Sequence, residues 1–160
     1  MEKALSINSL FKKRWSPRAF SDTIISNNEL GILFEAARWT ASSMNEQPWK
    51  YIYAKRGSTA FDQMVDSLMP GNQPWAKEAS HLIISLAKKQ FDRNGNTNRH
   101  AMHDVGAANT SLLLQAADLD IYGHMMGGVH ADKVFQHFDI NPEKFELACI
   151  IALGKKGNPE

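Results

Sequence analysis

The segment from His103 to Leu119 constrains the fold of this chain more than any other part of its sequence. Its apolar residues recur at helical spacing along one stripe, which predicts a long amphipathic helix with one buried face. The stripe consists of Val105, Ala108, Leu112, Ala116 and Leu119. A helix of this kind has to bury its apolar stripe against another layer of secondary structure. The sequence therefore predicts a layered globular fold built around this helix.

Apolar and aromatic runs predict the strands of that second layer. The predicted strands are Trp49–Ala54, His81–Ala87, Ile121–Met126 and Leu147–Leu153. Shorter helices are predicted at Ser6–Arg14, after a capping box formed by Ser26 and Glu29, at Phe61–Leu68 and at Ala131–Phe138. Helices and strands mix without strict alternation and without a linker, so we expect one α+β domain over residues 1–160. The tail from Lys155 to Glu160 is expected to be frayed.

Composition and charge exclude several classes of protein. Lys and Arg number 18 and Asp and Glu 17, for a net charge of +1, which argues against a binder of nucleic acid or membrane surfaces. No apolar run approaches the roughly 20 residues of a membrane span, and the N-terminal sequence does not resemble a secretory signal. The single cysteine, Cys149, excludes an intramolecular disulfide framework and a multi-cysteine zinc site. We expect a cytoplasmic protein that binds neither nucleic acid nor membrane.

Three polar or glycine-containing segments are candidates for ligand binding, and each also has a structural interpretation. The basic segment Lys12–Phe20 is either an anion pocket or a solvated helix end. The segment Ala41–Trp49 either binds a polar planar ligand or forms a turn. The Gly127–Gly128 pair either lets the backbone approach a ligand or forms a tight turn.

A metal site and a catalytic dyad find little support in the sequence. The side chains of His100, His103 and Asp104 have ligand chemistry, but a polar helix start is the favoured interpretation. Cys149 lies within an apolar strand, so we expect an inert buried thiol. Neither a dinucleotide fingerprint nor a Walker A pattern is present.

Two motifs, in order along the chain, resemble the FMN-dependent nitroreductase family. The segment Arg14–Phe20 resembles the family pattern R-x-S-x-[RK]-x-F, and Ser42–Trp49 resembles S-S-x-N-x-Q-P-W. The central helix, the glycine turn and the final strand, Ile151–Gly154, are similar to those of the family. The resemblance therefore runs over nearly the whole chain.

The resemblance implies a fold and an activity. The fold would be a compact single domain with a mixed, mainly antiparallel sheet flanked by helices. The protein would be a homodimeric flavoprotein with FMN at the subunit interface. Hydride would pass from NADH or NADPH to the flavin N5 and on to a nitroaromatic, a quinone or a similar small-molecule acceptor in a ping-pong cycle. The flavin would carry the chemistry, so the resemblance implies neither a catalytic side chain nor a metal.

The first two motifs imply roles for particular residues. Arg14 and Ser16 would bind the FMN phosphate, with Trp15 contributing through its backbone. Arg18 would face the N1/O2 edge of the isoalloxazine. The partner subunit would contribute the residues of the second motif, namely Ser42, Ser43 and Asn45.

Later parts of the chain complete the implied site. Asn72 would contact the pyrimidine edge of the flavin. Gly127 would direct its N–H toward N5, with Gly128 beside it. Longer members add a basic phosphate contact from their C-terminal tail, for which Lys155 or Lys156 is the candidate here.

Two departures from the family pattern leave other functions open. The stretch between the His81 strand and the central helix is brief, which predicts an open pocket, and the tail is short. These features motivate an alternative function as an FMN-binding protein without significant turnover, for storage or sensing. A further alternative is an interaction domain without flavin, which would bind a partner protein through Lys12–Arg18.

Overall fold

The structure is a computed structural model and describes residues 6–158. The helices in this range are α1 (Ser9–Lys13), α2 (Asn27–Arg38), α3 (Thr59–Asp66), α4 (Gln73–Ala76), α5 (Ala101–Asp118) and α6 (Ala131–His137). The strands are β1 (Trp49–Lys55), β2 (His81–Lys88), β3 (Tyr122–Met126) and β4 (Phe145–Gly154). A 3-10 turn spans Ser43–Asn45. No helix within residues 6–158 is both long and apolar enough to cross a membrane.

The four strands form one sheet in the order β1-β2-β4-β3, and each neighbouring pair is antiparallel. The last strand of the described chain therefore lies inside the sheet, between β2 and β3. A bulge interrupts the β2–β4 pairing, because Ser85 lies opposite Cys149 whereas Leu86 lies opposite Leu147. Ala148 is the extra residue.

Helices cover both faces of this sheet, which confirms the predicted single α+β domain. The helices α2 and α5 pack against each other and against the face that carries Ile83, Ile151 and Leu153. Residues of α3, α4 and α6 pack against the opposite face, which carries Ile84 and Ile150. Four of the five predicted stripe residues of α5 are fully buried, and Leu119 is partly buried against the same core. The buried stripe is the reason that this helix lies on the sheet.

Side-chain caps fix where two of the helices begin. The predicted capping box is present at α2, where Glu29 N donates to Ser26 Oγ at 3.2 Å and Ser26 N donates to Glu29 Oε2 at 2.8 Å. Helix α3 begins at Thr59, two residues earlier than predicted, because the Ser58 hydroxyl accepts from Phe61 N at 3.2 Å.

The expectation of a frayed tail is wrong for its first residues. Ser21 N donates to Lys155 O at 3.0 Å, and Gly157 N donates to Ala19 O at 3.0 Å. Lys156 forms an antiparallel bridge with Phe20 between them. Backbone pairing thus fixes the tail against Ala19–Ser21, at the end of the Arg14–Phe20 motif. Residues 159 and 160 lie outside the described residues.

Candidate functional site

The first part of the candidate site is the segment that follows α1. Arg14 Nη1 donates to Ser16 Oγ at 3.4 Å, so the two predicted phosphate-binding side chains lie together. The preceding residue, Lys13, forms an ion pair with Asp120 at 2.9 Å. Because Asp120 lies two residues beyond the end of α5, this ion pair holds the segment near the C-terminal end of that helix.

The side chains of Trp75 and His124, which the sequence motifs do not indicate, pack beside Arg18. The Arg18 guanidinium carbon lies 5.9 Å from the centre of the Trp75 ring, a distance typical of a cation–π contact. The Trp75 ring centre lies 4.6 Å from that of His124. His124 Nδ1 in turn donates to Pro17 O at 3.0 Å. Helix α4 and strand β3 therefore position Arg18.

The glycine turn after β3 is held by Asn72. Asn72 Nδ2 donates to Gly128 O at 3.3 Å, and Met69 N donates to the same oxygen at 2.9 Å. A Cβ atom added at Gly128 would lie 2.9 Å from Asn72 Nδ2, whereas one added at Gly127 would meet no heavy atom of the described residues within 4 Å. A side chain at Gly128 would thus displace the Asn72 amide, whereas Gly127 adjoins open space.

The second part of the site is the loop that contains Ser42, Ser43 and Asn45. Met44, Asn45 and Gln47 have positive φ angles of 57°, 56° and 51°, which residues other than glycine seldom adopt. The Ser42 hydroxyl accepts from Gln47 N at 3.0 Å. Ser43 N donates to Asp104 Oδ2 at 2.9 Å, which ties the loop to the first turn of α5.

The two parts of the site lie at opposite ends of α5. The Lys13–Asp120 ion pair marks one end, and the Ser43–Asp104 hydrogen bond marks the other. Asp118, at the end of the helix, lies fourteen positions after Asp104, a rise of about 21 Å. Within one chain, the Ser42–Asn45 loop and the Arg14–Ser16 pair are therefore far apart.

The two tail lysines are placed differently. Lys155 Nζ donates to Leu119 O at 2.7 Å and pairs with Glu29 at 3.4 Å, so its ammonium group lies between the C-terminal end of α5 and the first turn of α2. Lys156 lines a small cavity of about 80 Å³ together with Trp15 and Arg18. Of the two lysines, Lys156 is the one beside the basic motif.

Other candidate groups do not form a site of their own. Within residues 6–158, no three His, Cys, Asp or Glu side chains come together as a metal site would require. Cys149 is buried, and burial raises the pKa of its thiol to about 12. Its sulfur accepts a hydrogen bond from Asn109 Nδ2 at 3.6 Å.

The architecture is that of oxidoreductases with the nitroreductase-like fold. The chain is 33% identical to a crystal structure described as an oxidoreductase containing FMN, with a TM-score of 0.91. That similarity covers 98% of this chain and 80% of the other. An FMN-dependent nitroreductase of Clostridium difficile shares the fold at 20% identity and a TM-score of 0.80, over 96% of this chain and 90% of its own.

The sequence profile of the nitroreductase family matches residues 11–155, and this chain belongs to that family. It is also 38% identical over 73 residues to the major NAD(P)H-flavin oxidoreductase of Aliivibrio fischeri. That similarity covers 44% of this chain and 33% of the relative, so the matched region spans about a third of the curated relative.

Proposed function

We propose that this protein is a homodimeric FMN-dependent NAD(P)H oxidoreductase that reduces a small-molecule acceptor, such as a nitroaromatic or a quinone, by a ping-pong cycle. The observation that carries the proposal is the separation of the two motifs at opposite ends of α5. A second copy of the chain would bring its Ser42–Asn45 loop to the Arg14–Arg18 segment of the first. Membership of the nitroreductase family and similarity to an FMN-containing oxidoreductase support it.

The donor set fits the phosphate of FMN. A phosphate binds best to cations and short hydroxyl donors, and Arg14 and Ser16 offer both within 3.4 Å of each other. The backbone of Trp15 lies between them, and Lys156 lies beside Trp15 at the small cavity. Lys155 is less suitable, because its ammonium group is engaged with Leu119 O and Glu29.

The residues near the glycine turn fit the flavin ring. Because Asn72 Nδ2 donates to Gly128 O, the amide is oriented, and its Oδ1, which accepts no hydrogen bond within residues 6–158, could accept from the flavin N3–H. Gly127 adjoins open space, so its backbone can approach the flavin N5 closely. Arg18 would stabilise the negative charge that reduced flavin carries near N1 and O2.

The role of the protein is to bind, orient and shield, since bound FMN supplies the hydride chemistry. Ser42, Ser43 and Asn45 of a second copy would complete the polar contacts to the ring. NADH or NADPH is the proposed hydride donor. We propose that the protein is located in the cytoplasm.

Exposed apolar side chains support the homodimer. Trp15 is 60% exposed beside the first motif, and Met44 is 64% exposed within the second. Trp39, at the end of α2 and just before the second motif, is 74% exposed. These side chains adjoin both parts of the proposed flavin site, so a homodimer that shares the site would cover them.

An absorbance spectrum of the purified protein, taken before and after FMN is added and the protein is desalted, tests the proposal. Retained flavin bands are expected. In a titration, Arg14→Ala should weaken FMN binding roughly 10- to 100-fold, because it removes a charge-assisted contact of about 1.5–3 kcal/mol. The matched control is Lys12→Ala, which removes an equal charge from exposed helix α1. A protein that retains no flavin would contradict the proposal, as would equal effects of the two variants.

Turnover separates the oxidoreductase from the alternative of flavin storage or sensing. The connection between β2 and α5 contains no helix, so the predicted open pocket would admit donor and acceptor in turn. We expect steady-state oxidation of NADH or NADPH with menadione or a nitroaromatic. Tight FMN binding without this turnover would favour the storage or sensing function.

A further inference from the structure

Asp104 is a buried carboxylate that the proposed flavin contacts do not use. The residue is 4% exposed, in the first turn of α5. Its Oδ2 accepts from the backbone of Ser43 at 2.9 Å, and its Oδ1 lies 3.1 Å from His103 Nδ1. The His103 side chain is 84% exposed, so water competes with its ring for the hydrogen bond to Asp104 Oδ1. Burial of a carboxylate is costly unless hydrogen bonds compensate, and the backbone amide of the half-buried Ser43 is a compensating donor.

The loop that Asp104 holds, residues 42–47, has an unfavourable backbone. Three of its residues, Met44, Asn45 and Gln47, have positive φ angles although none is glycine. Such a conformation persists only where surrounding contacts over-determine it. The contacts within the loop, such as Gln47 N to Ser42 Oγ, move with the loop and do not fix it to the core.

Tethers from outside the loop lie mostly at its ends. Thr40 Oγ1 donates to Ser111 Oγ at 2.8 Å before the loop begins, and Gln47 Nε2 donates to Arg38 O at 3.2 Å where it ends. Glu46 accepts from the backbone of Asp92, which itself belongs to an exposed turn. The Ser43–Asp104 hydrogen bond joins the first turn of α5 directly to the residue that precedes Met44 and Asn45, two of the residues with positive φ angles.

We propose that Asp104 is a positioning residue that holds Ser42, Ser43 and Asn45 in the conformation that binds flavin. The proposal rests on the proposed function, because it assigns those three residues to the flavin of a second copy. Asp104 acts through the Ser43 amide and does not itself touch the cofactor. Without the Asp104 carboxylate the strained loop would relax. FMN would then bind more weakly, because binding would have to reorder the loop.

A pair of variants isolates the hydrogen bond from the charge. Asp104→Asn and Asp104→Leu have similar size and both remove the charge, but only Asn retains an oxygen that can accept from Ser43 N. We expect FMN to bind Asp104→Leu roughly 10-fold more weakly than wild type, and Asp104→Asn to recover most of that loss. His103→Ala is the matched control, since it removes the exposed partner of Asp104 and should leave FMN affinity within about 2-fold.

A double-mutant cycle with Asn45→Ala distinguishes positioning from a general structural role. If Asp104 acts through the loop, Asp104→Leu costs less FMN affinity in the Asn45→Ala background than in wild type. A general structural role would give the same cost in both backgrounds. If Asp104→Leu does not fold, Asp104→Glu is used in its place. Glutamate retains the charge and the acceptor but displaces the carboxylate oxygen by one methylene, so this variant should also weaken FMN binding.

The outcomes separate the two proposals. Failure of wild type to bind FMN would contradict the proposed function. The positioning role alone would be overturned if wild type binds FMN and Asp104→Leu loses less than about 3-fold in FMN affinity. Where Asp104→Glu is used instead, the same limit applies to it. Thermal unfolding and circular dichroism of each apoprotein confirm that the variants compared are folded.

Discussion

Replacement of Gly128 by alanine tests how tightly the glycine turn is coupled to Asn72. The added Cβ would lie 2.9 Å from Asn72 Nδ2, which is shorter than real Cβ contacts, and 3.4 Å from Met69 Cγ. Because the turn backbone is held by Met69 N, the Asn72 side chain is the group that moves. Its hydrogen bond to Gly128 O would be lost.

The expected cost follows from the bond and the rotamer. Loss of a neutral hydrogen bond costs about 0.5–1.5 kcal/mol, and a strained side-chain rotamer adds a similar amount. Alanine returns about 0.4–1 kcal/mol by restricting the unfolded chain. We therefore expect a net loss of roughly 1 kcal/mol in the free energy of unfolding, which lowers Tm by about 2–4 °C in a chain of this size.

The assay is urea or thermal unfolding of apoprotein at one fixed protomer concentration, since association would shift the apparent stability. Gly127→Ala is the matched control, because its Cβ would meet no heavy atom of the described residues within 4 Å and its stability should be unchanged or slightly raised. In an Asn72→Ala background the cost of Gly128→Ala should fall by at least half. Equal costs in both backgrounds, or none in wild type, would refute the reasoning.

Two further predictions concern buried titratable groups. Burial and the nearby Lys55 charge lower the pKa of His81 from 6.5 to about 4. As the pH drops, the unfolded chain therefore takes up a proton on His81 that the folded chain excludes. The free energy of unfolding should fall by roughly 2–3 kcal/mol between pH 6.5 and pH 4. Urea denaturation across this range should show a smaller decrease for His81→Asn than for wild type. Burial also raises the pKa of the Cys149 thiol to about 12, so a disulfide reagent at pH 8 should label native protein only at the rate of unfolding. Rapid labelling of native protein would contradict that assignment.

Local patterns in the sequence predicted much of the fold. The buried stripe of α5 and the capping box of α2 depend on residues three or four positions apart, so the sequence shows them directly. Helix α4 was missed because it has only four residues, although Pro74 in its first turn is a typical start signal. The tail was mispredicted because its partner, Ala19–Ser21, lies more than 130 residues earlier in the chain.

The motifs propose site residues that lie close together in the sequence, whereas the contacts that surround those residues in the structure are long-range. The motifs indicated Arg14, Ser16 and Gly127. They did not indicate Trp75 or His124, because the ring contacts beside Arg18 depend on the placement of α4 and β3. The hydrogen bond from Ser43 to Asp104 joins residues 61 positions apart, and the sequence alone favoured a simple helix start for Asp104.

The central position of β4 has a consequence for biosynthesis. The β1–β2 pair can form early, but β3 pairs only with β4 among the described strands, and β4 ends at Gly154. Until Gly154 has left the ribosome, β2 presents an unpaired apolar edge that can pair with another nascent chain. The sheet therefore cannot be completed before β4 has been synthesised, and translation interrupted before Gly154 would release a chain that is prone to aggregate and that chaperones would have to protect.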